Sequence, residues 1–287
     1  MTEVNHISTL PRLALRRVAN ATKRALYPHR IDAVLVSYPK SGRTWFRFMM
    51  STYLALAYRV EPAPDLHSMF TIMPNLDMDP VRGFPAVRLP SAGPRPPLIA
   101  VSHLPYSRVE FRSYPAIFML RDHRDVMVSA YFHATRHKHR FSGGMDEFLA
   151  DPRQGVASLT RYLNGWSDGL QRRDHVVVSY EELSRDPAGE TARVLGFLGV
   201  KVDQPTLAAA VEAAKFQNMR ELEQVSGLPG HDYDRRDDES LRMRRGKVGG
   251  FTDYLTPSQV GFIERSYDRE LTARSKAILY PAGLWAK

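Results

Sequence analysis

Short, unbroken apolar runs of strand length recur along the chain. They occupy residues 33–36, 98–101, 116–120 and 176–178. Each run is continuous rather than alternating with polar residues, which is typical of a parallel sheet covered by helices on both faces. Longer stretches with helical character lie between the runs, at 44–58, 125–137, 155–172 and 187–198. This alternation predicts an α/β fold of three layers, in which helices flank a central parallel sheet.

Two regions interrupt the alternation. Residues 61–97 hold nine of the chain's 20 prolines, which fix φ and remove backbone donors, so we expect a long irregular excursion there. Its apolar residues predict that it packs on the body of the protein. Residues 226–250 combine glycines with a run of mixed charge, and long loops of this kind often form lids or binding walls. We expect 1–287 to form one domain, with 1–30 as a peripheral segment.

The charge balance favours an anionic partner. The chain has 40 basic and 31 acidic residues, a net charge of +9, and 32 of the 40 are arginine, the better bidentate partner for phosphate or sulfate. No recognised nucleic-acid motif is present, so DNA and RNA are not expected partners. The lack of cysteine excludes disulfides, cysteine nucleophiles and thiolate metal sites.

The N-terminal residues bear on location. No apolar stretch reaches the roughly 20 residues of a membrane span. The first residues include Glu3 and lack an apolar core, so a cytoplasmic location is expected. Residues 10–26 mix apolar and basic side chains, which leaves peripheral contact with an anionic membrane as an alternative to packing on the domain.

The sharpest motif is Ser-Tyr-Pro-Lys-Ser-Gly-Arg-Thr-Trp at 37–45, directly after the first predicted strand. A strand, a tight turn and a helix N-terminus expose unpaired backbone N–H groups to an anion. Lys40 adds a positive charge, and Gly42 lets the backbone approach closely. Ser41 and Thr44 add hydroxyl donors. The residue order is not that of a Walker A loop, which argues against a nucleotide or sugar kinase.

This segment closely resembles the 5′-phosphosulfate loop of the sulfotransferases that use 3′-phosphoadenosine 5′-phosphosulfate (PAPS). Three more segments resemble that family in the same order: 121–129 its 3′-phosphate segment, 177–183 the strand end near the adenosine, and 244–249 the late segment over the 3′-phosphate. The soluble, cytosolic-type branch matches best, as a bacterial-like member. The resemblance implies a P-loop-like α/β fold, PAPS as co-substrate with PAP as product, and no required metal.

The resemblance also implies roles for individual residues. His103, in the segment 102–105, matches the family's catalytic base. Lys40 is expected to stabilise the departing phosphate, and Ser129 to hold Lys40 away until the 3′-phosphate binds. The implied cofactor-binding residues are Lys40, Ser41, Gly42, Arg43, Thr44, Trp45, Arg121, Ser129, Tyr180, Phe216, Arg244, Arg245 and Gly246.

The chain departs from the family pattern in several places. Many soluble relatives carry a lysine two residues before the base, where this chain has Val101, so another cation must substitute or the rate suffers. Gly250 stands where an Asp is usual. Residues 252–264 lack the family's dimer signature, which leaves the oligomeric state open. A nucleotide-binding protein without transfer activity therefore remains an alternative.

Three histidines, His133, His137 and His139, have spacing that could mimic a metal-binding face. A basic helix end next to the cofactor is the interpretation that we favour, because other metal-ligand spacing is absent.

The expected acceptor is a hydroxyl, or less readily an amine, of a small molecule, lipid or glycan. Its site should be shaped by residues 61–97, by the stretch after Tyr131 and by residues 226–244. Apolar side chains in the first of these favour a partly hydrophobic acceptor, whereas the basic loops equally favour an acidic glycan. The apolar residues in question are Met69, Phe70, Met73 and Phe84.

Overall fold

The computed structural model describes residues 30–90, 93–230 and 233–284, together with Ala19 and Thr22. Its strands are β1 Ala33–Ser37, β2 Ile99–Ser102, β3 Ala116–Leu120 and β4 His175–Ser179. They form one sheet in the order β2–β1–β3–β4, and every neighbouring pair is parallel. Each of the four apolar runs overlaps one strand, so the predicted parallel sheet is confirmed.

The helices of the described residues lie between and after these strands. They are α1 Arg43–Tyr58, α2 Met69–Ile72, α3 Arg108–Phe111, α4 His123–Phe132, α5 Met145–Ala150, α6 Val156–Leu170, α7 Tyr180–Arg185, α8 Pro187–Phe197, α9 Gln204–Ala213, α10 Phe216–Ser226, α11 Pro257–Glu270 and α12 Ala273–Leu279. Short 3-10 helices occupy Phe84–Ala86 and Gly250–Asp253. From His133 to His137 the end of α4 widens into a π-helix.

Alternation of side chains along the strands builds one hydrophobic core on each face of the sheet. In β1, Val34 and Val36 join the core beneath α4, α6 and α11, and Leu35 joins the core beneath α1, α8 and α9. All five residues of β1 are buried. Burial on both faces explains why the run is apolar without alternation, and the three-layer arrangement is confirmed.

The described part of the proline-rich excursion, residues 61–90 and 93–97, packs against the sheet edge. Val101 in β2 donates its N–H to the Pro74 carbonyl and accepts from the Leu76 N–H, each at 2.8 Å. The apolar side chains Met69, Phe70, Ile72, Met73, Phe84 and Val87 are all buried. The expectation that this region packs on the body is therefore confirmed.

The carboxyl ends of all four parallel strands meet at one edge of the sheet. β1 leads into the loop before α1, and β2 leads to His103. β3 is followed by Arg121, and Tyr180 comes directly after β4. In open α/β sheets this edge is where ligands bind.

Within the described residues, none of the helices combines the length and hydrophobicity needed to cross a membrane. The segment 10–26, proposed from sequence as a possible membrane contact, lies outside the described residues except for Ala19 and Thr22.

Candidate functional site

Two adjoining cavities open at the carboxyl edge of the sheet. The first, of about 290 Å³, lies around Trp45, Arg121 and Phe216. The second, of about 790 Å³, lies between Phe70 and Tyr162. The residues that line both are Lys40, Arg43, Thr44, His103 and Arg242. The two cavities therefore meet at the loop after β1 and at the residue that follows β2.

The first cavity brings together nearly all the site residues predicted from the sequence. Those in its lining are Lys40, Gly42, Arg43, Thr44, Trp45, His103, Arg121, Ser129, Tyr180, Phe216, Arg244, Arg245 and Gly246. Ser41 is the exception, since its hydroxyl donates to the Tyr38 carbonyl oxygen at 3.0 Å. Its side chain is buried away from the cavity, so any contact of Ser41 with a ligand would come from its backbone N–H.

Helix α1 begins at the first cavity, and its N-terminus has neither a cap among the described side chains nor an acidic residue in its first turn. Gly42 is its N-cap with a φ of 88°, and a Cβ there would lie 2.4 Å from the Tyr180 ring, so the position requires glycine. The first turn contains no acidic residue, and none of the described side chains caps it. Free N–H groups and the helix dipole therefore favour an anion at this point.

The ammonium group of Lys40 lies in a strongly positive environment. Burial and, next, the Arg242 guanidinium lower the pKa of Lys40 to about 7. Arg121 and Arg244 act in the same direction, and Glu223 opposes them. The Lys40 backbone has a φ of 74°, an unusual value for a non-glycine residue. An anionic ligand would restore the charge of Lys40, because an opposite charge favours the ammonium form.

Arg121 links three parts of the cavity wall. Its guanidinium donates to the Lys40 and Lys247 carbonyl oxygens, each at 3.3 Å, and lies 4.4 Å from the centre of the Tyr180 ring. The Arg121 Nε is buried and has no acceptor among the described residues. A buried donor without a partner is costly, so this nitrogen fits a site that an oxyanion completes.

Asp125 holds the late loop, residues 244–251, over the first cavity. Its carboxylate accepts from the Gly249 N–H at 2.9 Å and from the Phe251 N–H at 2.8 Å. The Arg124 guanidinium lies 4.2 Å from the centre of the Phe251 ring. Burial raises the pKa of Asp125, although Arg121 opposes this. The backbone of the late loop is therefore fixed to the start of α4.

The basic residues of the late loop are held differently from one another. Arg244 donates to Glu239 at 3.0 Å and lies 4.4 Å from the centre of the Phe132 ring. Arg245 is exposed and donates to Asp253 at 2.8 Å. Arg244 therefore has a defined position in the wall, whereas Arg245 lies at the mouth.

Aromatic side chains form the far wall of the first cavity. The Trp45 indole donates to the Ala214 carbonyl oxygen at 2.7 Å and meets the Tyr180 ring edge-on at 5.6 Å. A Cβ on Gly246 would lie 2.5 Å from the Phe216 ring, so the late loop lies directly against that ring. These rings offer stacking surfaces for a planar base.

His103 stands where the two cavities meet. Its Nδ1 lies 2.8 Å from the Ser37 carbonyl oxygen, which can only accept, so Nδ1 carries the hydrogen and Nε2 is free to take a proton. Burial and, next, the Arg43 guanidinium hold the pKa of His103 well below its ordinary value. The imidazole is therefore neutral at physiological pH, as a general base must be.

Ser129 lines the first cavity on α4. Among the described residues no hydrogen bond joins Ser129 to Lys40. The restraint of Lys40 by Ser129 therefore stays a prediction.

The three histidines whose spacing could mimic a metal-binding face follow α4, with His133 and His137 in the π-helix and His139 just beyond it. His133 lines that cavity, and the His137 Nδ1 lies 3.0 Å from the Ser240 carbonyl oxygen. Burial lowers the pKa of His137 to about 3. His139 is exposed. Within the described part of the chain, no group of three His, Asp or Glu side chains could hold a metal ion.

The second cavity draws on all three regions expected to shape the acceptor site. Residues 61–97 supply Met69 and Phe70, the stretch after Tyr131 supplies Lys138, and the later loop supplies Leu228. Two apolar residues expected there are absent from this lining. Met73 is fully buried and Phe84 is 1% exposed, because both pack into the hydrophobic cores. Met73 and Phe84 therefore do not line the second cavity, and a role for them in acceptor binding stays a prediction.

Several residues of both walls were not singled out from the sequence, although Arg242 lies within the region 226–244 that was expected to shape the acceptor site. Arg242 lines the two cavities, and the segment from Phe148 to Tyr162 forms one side of the second. Arg242 lies two residues before Arg244, which begins the segment that resembles the family's late segment. Its place in the same basic run is the sequence signal that could have identified it. The wall that includes Arg161 and Tyr162 lies on α6, whose apolar pattern predicts a buried face but not which cavity it borders.

Comparisons with known proteins agree with this architecture. The sulfotransferase domain family matches residues 30–275. A 3-alpha-hydroxysteroid sulfotransferase of Cavia porcellus is 26% identical over 253 residues, which cover 84% of this chain and 83% of that protein. The crystal structure of mouse sulfotransferase SULT7A1 complexed with PAP has a TM-score of 0.63 at 19% identity, over 90% of this chain and 92% of that one. Retinol dehydratase in complex with androsterone and inactive cofactor PAP has a TM-score of 0.65 at 18% identity, over 90% and 86%.

The family match extends over most of the described residues, and the two solved structures share the fold. The P-loop-like fold expected from the resemblance is confirmed, and so is the family: the chain belongs to the sulfotransferases.

Proposed function

We propose that the chain transfers a sulfuryl group from PAPS to a hydroxyl of an organic acceptor, with His103 as general base. The observation that carries the proposal is the position of His103, neutral and with a free Nε2, at the junction of two cavities. The first cavity would hold the nucleotide and the second the acceptor. An acceptor oxygen and the sulfuryl group would then meet beside the base, and positioning alone removes much of the barrier.

The first cavity has the donors that PAPS requires. The N-terminus of α1 and Lys40 would face the 5′-phosphosulfate, which supplies the sulfuryl group when bound. Arg121, with its unpartnered Nε, would take the 3′-phosphate together with Ser129 and Arg244. Trp45, Tyr180 and Phe216 would enclose the adenine.

The proposed transfer needs no reactant other than PAPS and the acceptor hydroxyl. His103 Nε2 accepts the proton of the acceptor hydroxyl as the acceptor oxygen forms a bond to sulfur. The bond from sulfur to the bridging oxygen breaks, and its electron pair stays on the 5′-phosphate of PAP. Lys40 and the amide N–H groups at the start of α1 stabilise that developing negative charge. Transfer to an amine is the less favoured alternative.

Arg43 would supply the positive charge that many soluble relatives carry as a lysine at the position of Val101. Val101 is 1% exposed and packs in the core, so no cation stands there. Arg43 lines both cavities, and its charge is one of the main influences on the pKa of His103. We propose that its guanidinium faces the sulfuryl oxygens during transfer.

The relatives support both halves of the proposal. The mouse sulfotransferase and retinol dehydratase were solved with PAP, and the second of these also holds androsterone. The guinea-pig relative is named for a hydroxysteroid. These ligands favour a nucleotide in the first cavity and a hydroxyl-bearing small molecule in the second.

Two measurements test the proposal. Calorimetry with PAP should show binding, and sulfur-labelled PAPS with a panel of hydroxylated acceptors should yield labelled product. Lack of PAP binding would overturn the proposal altogether. PAP binding without label transfer to any hydroxyl or amine would instead favour the nucleotide-binding protein without transfer activity.

A further inference from the structure

All the charged side chains that line the second cavity among the described residues are lysines or arginines. Among the described residues that line it there is no Asp or Glu. Nine cationic side chains lie in this lining. They are Lys40, Arg43, Arg47, Arg82, Lys138, Arg140, Arg153, Arg161 and Arg242.

Six of these cations line the second cavity without reaching the first, so the nucleotide proposed for the first cavity would not neutralise them directly. Arg82 is compensated by Asp79 at 3.2 Å. Arg47 is 2% exposed and donates to Asn75 at 3.0 Å and to a backbone carbonyl, both of which are neutral. Arg140 and Arg161 form no ion pair with any described carboxylate. Arg47, Arg140 and Arg161 therefore have no ion-pair partner among the described carboxylates, and an anion in the cavity could pair with them.

The cations also act on one another. Partial burial lowers the pKa of Lys138, and the charges of Arg242, Arg140 and Arg82 lower it further. Like charges in a concave site raise the electrostatic potential inside it, and an anion relieves that repulsion on entering. Burial and, next, the charge of Arg43 hold down the pKa of His103. An anion that offsets the neighbouring charges would raise this pKa towards neutral pH, which suits a general base.

We propose that the acceptor is an organic anion, with a phosphate, sulfate or carboxylate group carried on the same molecule as the reacting hydroxyl. This inference rests on the proposed function, because it assigns the second cavity to the acceptor. Arginine predominates among the nine cations, and its planar fork suits oxyanions of all three kinds. An uncharged acceptor would displace water from these cations and offer nothing in return.

The rest of the lining shows what the anionic group is attached to. Phe70, Phe148 and Tyr162 give the cavity apolar surface, and the Arg47 guanidinium lies 4.0 Å from the centre of the Phe70 ring. Its volume of about 790 Å³ lies within the range of sites for drug-sized ligands. The acceptor is therefore an amphiphilic molecule of moderate size, whose body meets the rings while its anionic group meets the arginines.

The test uses ligands that differ in charge and share one ring and one hydroxyl. The uncharged probe is 2-naphthol, and the charged probes are 6-hydroxynaphthalene-2-sulfonate, 6-hydroxy-2-naphthoate and 6-hydroxy-2-naphthyl phosphate. Their binding to the full chain saturated with PAP is followed by naphthol fluorescence. At least one charged probe should bind at least about tenfold more tightly than 2-naphthol, with the preference falling as salt is added. The ranking of the three anions identifies the preferred oxyanion.

A double variant and a matched control locate the effect. Arg140→Gln with Arg161→Gln removes two cations from the second cavity alone, and should abolish most of the preference while PAP affinity is kept. Arg136→Gln with Arg172→Gln removes two exposed arginines that line neither cavity, and should preserve the preference.

Equal or tighter binding of 2-naphthol to the PAP complex would overturn the inference but leave the proposed function intact. Equal loss of preference in both double variants would also overturn it. Failure to bind PAP would overturn the proposed function itself.

Discussion

His103 Nδ1 donates to the carbonyl oxygen of Ser37 at 2.8 Å. This bond joins the residue after β2 to the last residue of β1, two neighbouring parallel strands of the sheet. It fixes both the orientation of the imidazole and its tautomer, since the carbonyl oxygen can accept but cannot donate. Nε2 is therefore unprotonated and can accept a proton where the two cavities meet.

Binding of PAP should take up a proton at Lys40. The pKa of Lys40 is lowered to about 7 in the free protein, and the phosphates of PAP should raise it again. At about pH 8 Lys40 is then mostly neutral when free and charged when bound, so close to one proton enters on binding and PAP affinity weakens as pH rises above 7. Calorimetry in buffers of different ionisation enthalpy measures this uptake. Lys40→Met should abolish it, and unchanged uptake in that variant would contradict the assignment.

Substitution of Gly42 should disable the phosphate loop. A φ of 88° costs a residue other than glycine about 1–2 kcal/mol, and a Cβ would lie 2.4 Å from the Tyr180 ring. Gly42→Ala should therefore weaken PAP binding by at least about tenfold. Gly196→Ala is the matched control, because Gly196 lies in α8 with nothing within 4 Å of an added Cβ. Similar PAP affinities for the two variants would show that the loop is not the phosphate site.

Removal of the Asp125 carboxylate separates two opposing effects. Charge alone predicts that Asp125→Ala binds the anionic PAP more tightly, because a negative group leaves the cavity wall. Loss of the late-loop anchor predicts weaker binding, because the Gly249 and Phe251 N–H groups lose their acceptor. We expect the loop effect to dominate, with a Kd for PAP raised by about tenfold, since each charge-assisted bond contributes about 1.5–3 kcal/mol. A lower Kd would contradict this role of Asp125.

The fold could be predicted from the sequence because a strand that is buried on both faces is apolar at every position. The run 116–120 is apolar at every position, and β3 is buried at every position. The sites of the first cavity could be predicted for a different reason. Arg121 and Tyr180 come directly after strands, and Lys40 lies in the loop that follows β1. A short sequence motif next to a strand is therefore enough to place each of them at the sheet edge.

The second cavity could not be derived in the same way. Met73 and Phe84 are as apolar as Phe70, yet only Phe70 reaches the cavity, because the turns of the excursion decide which side chain points inward. Arg161 is brought there by the packing of α6 on the sheet. Such long-range packing leaves no local pattern in the sequence. The concentration of lysine and arginine side chains around the second cavity is accordingly a property of the structure.

The most direct test of the central claim is single-turnover sulfuryl transfer by His103→Ala, measured with saturating PAPS and acceptor beside a PAP titration. The variant should lose about 10²–10⁴-fold in transfer rate, as expected for removal of a general base, and keep its affinity for PAP. His175→Ala, which alters an exposed histidine at the opposite end of the sheet, should transfer at the normal rate. Transfer by His103→Ala at the rate of the unaltered protein would contradict the assignment of His103 as the base.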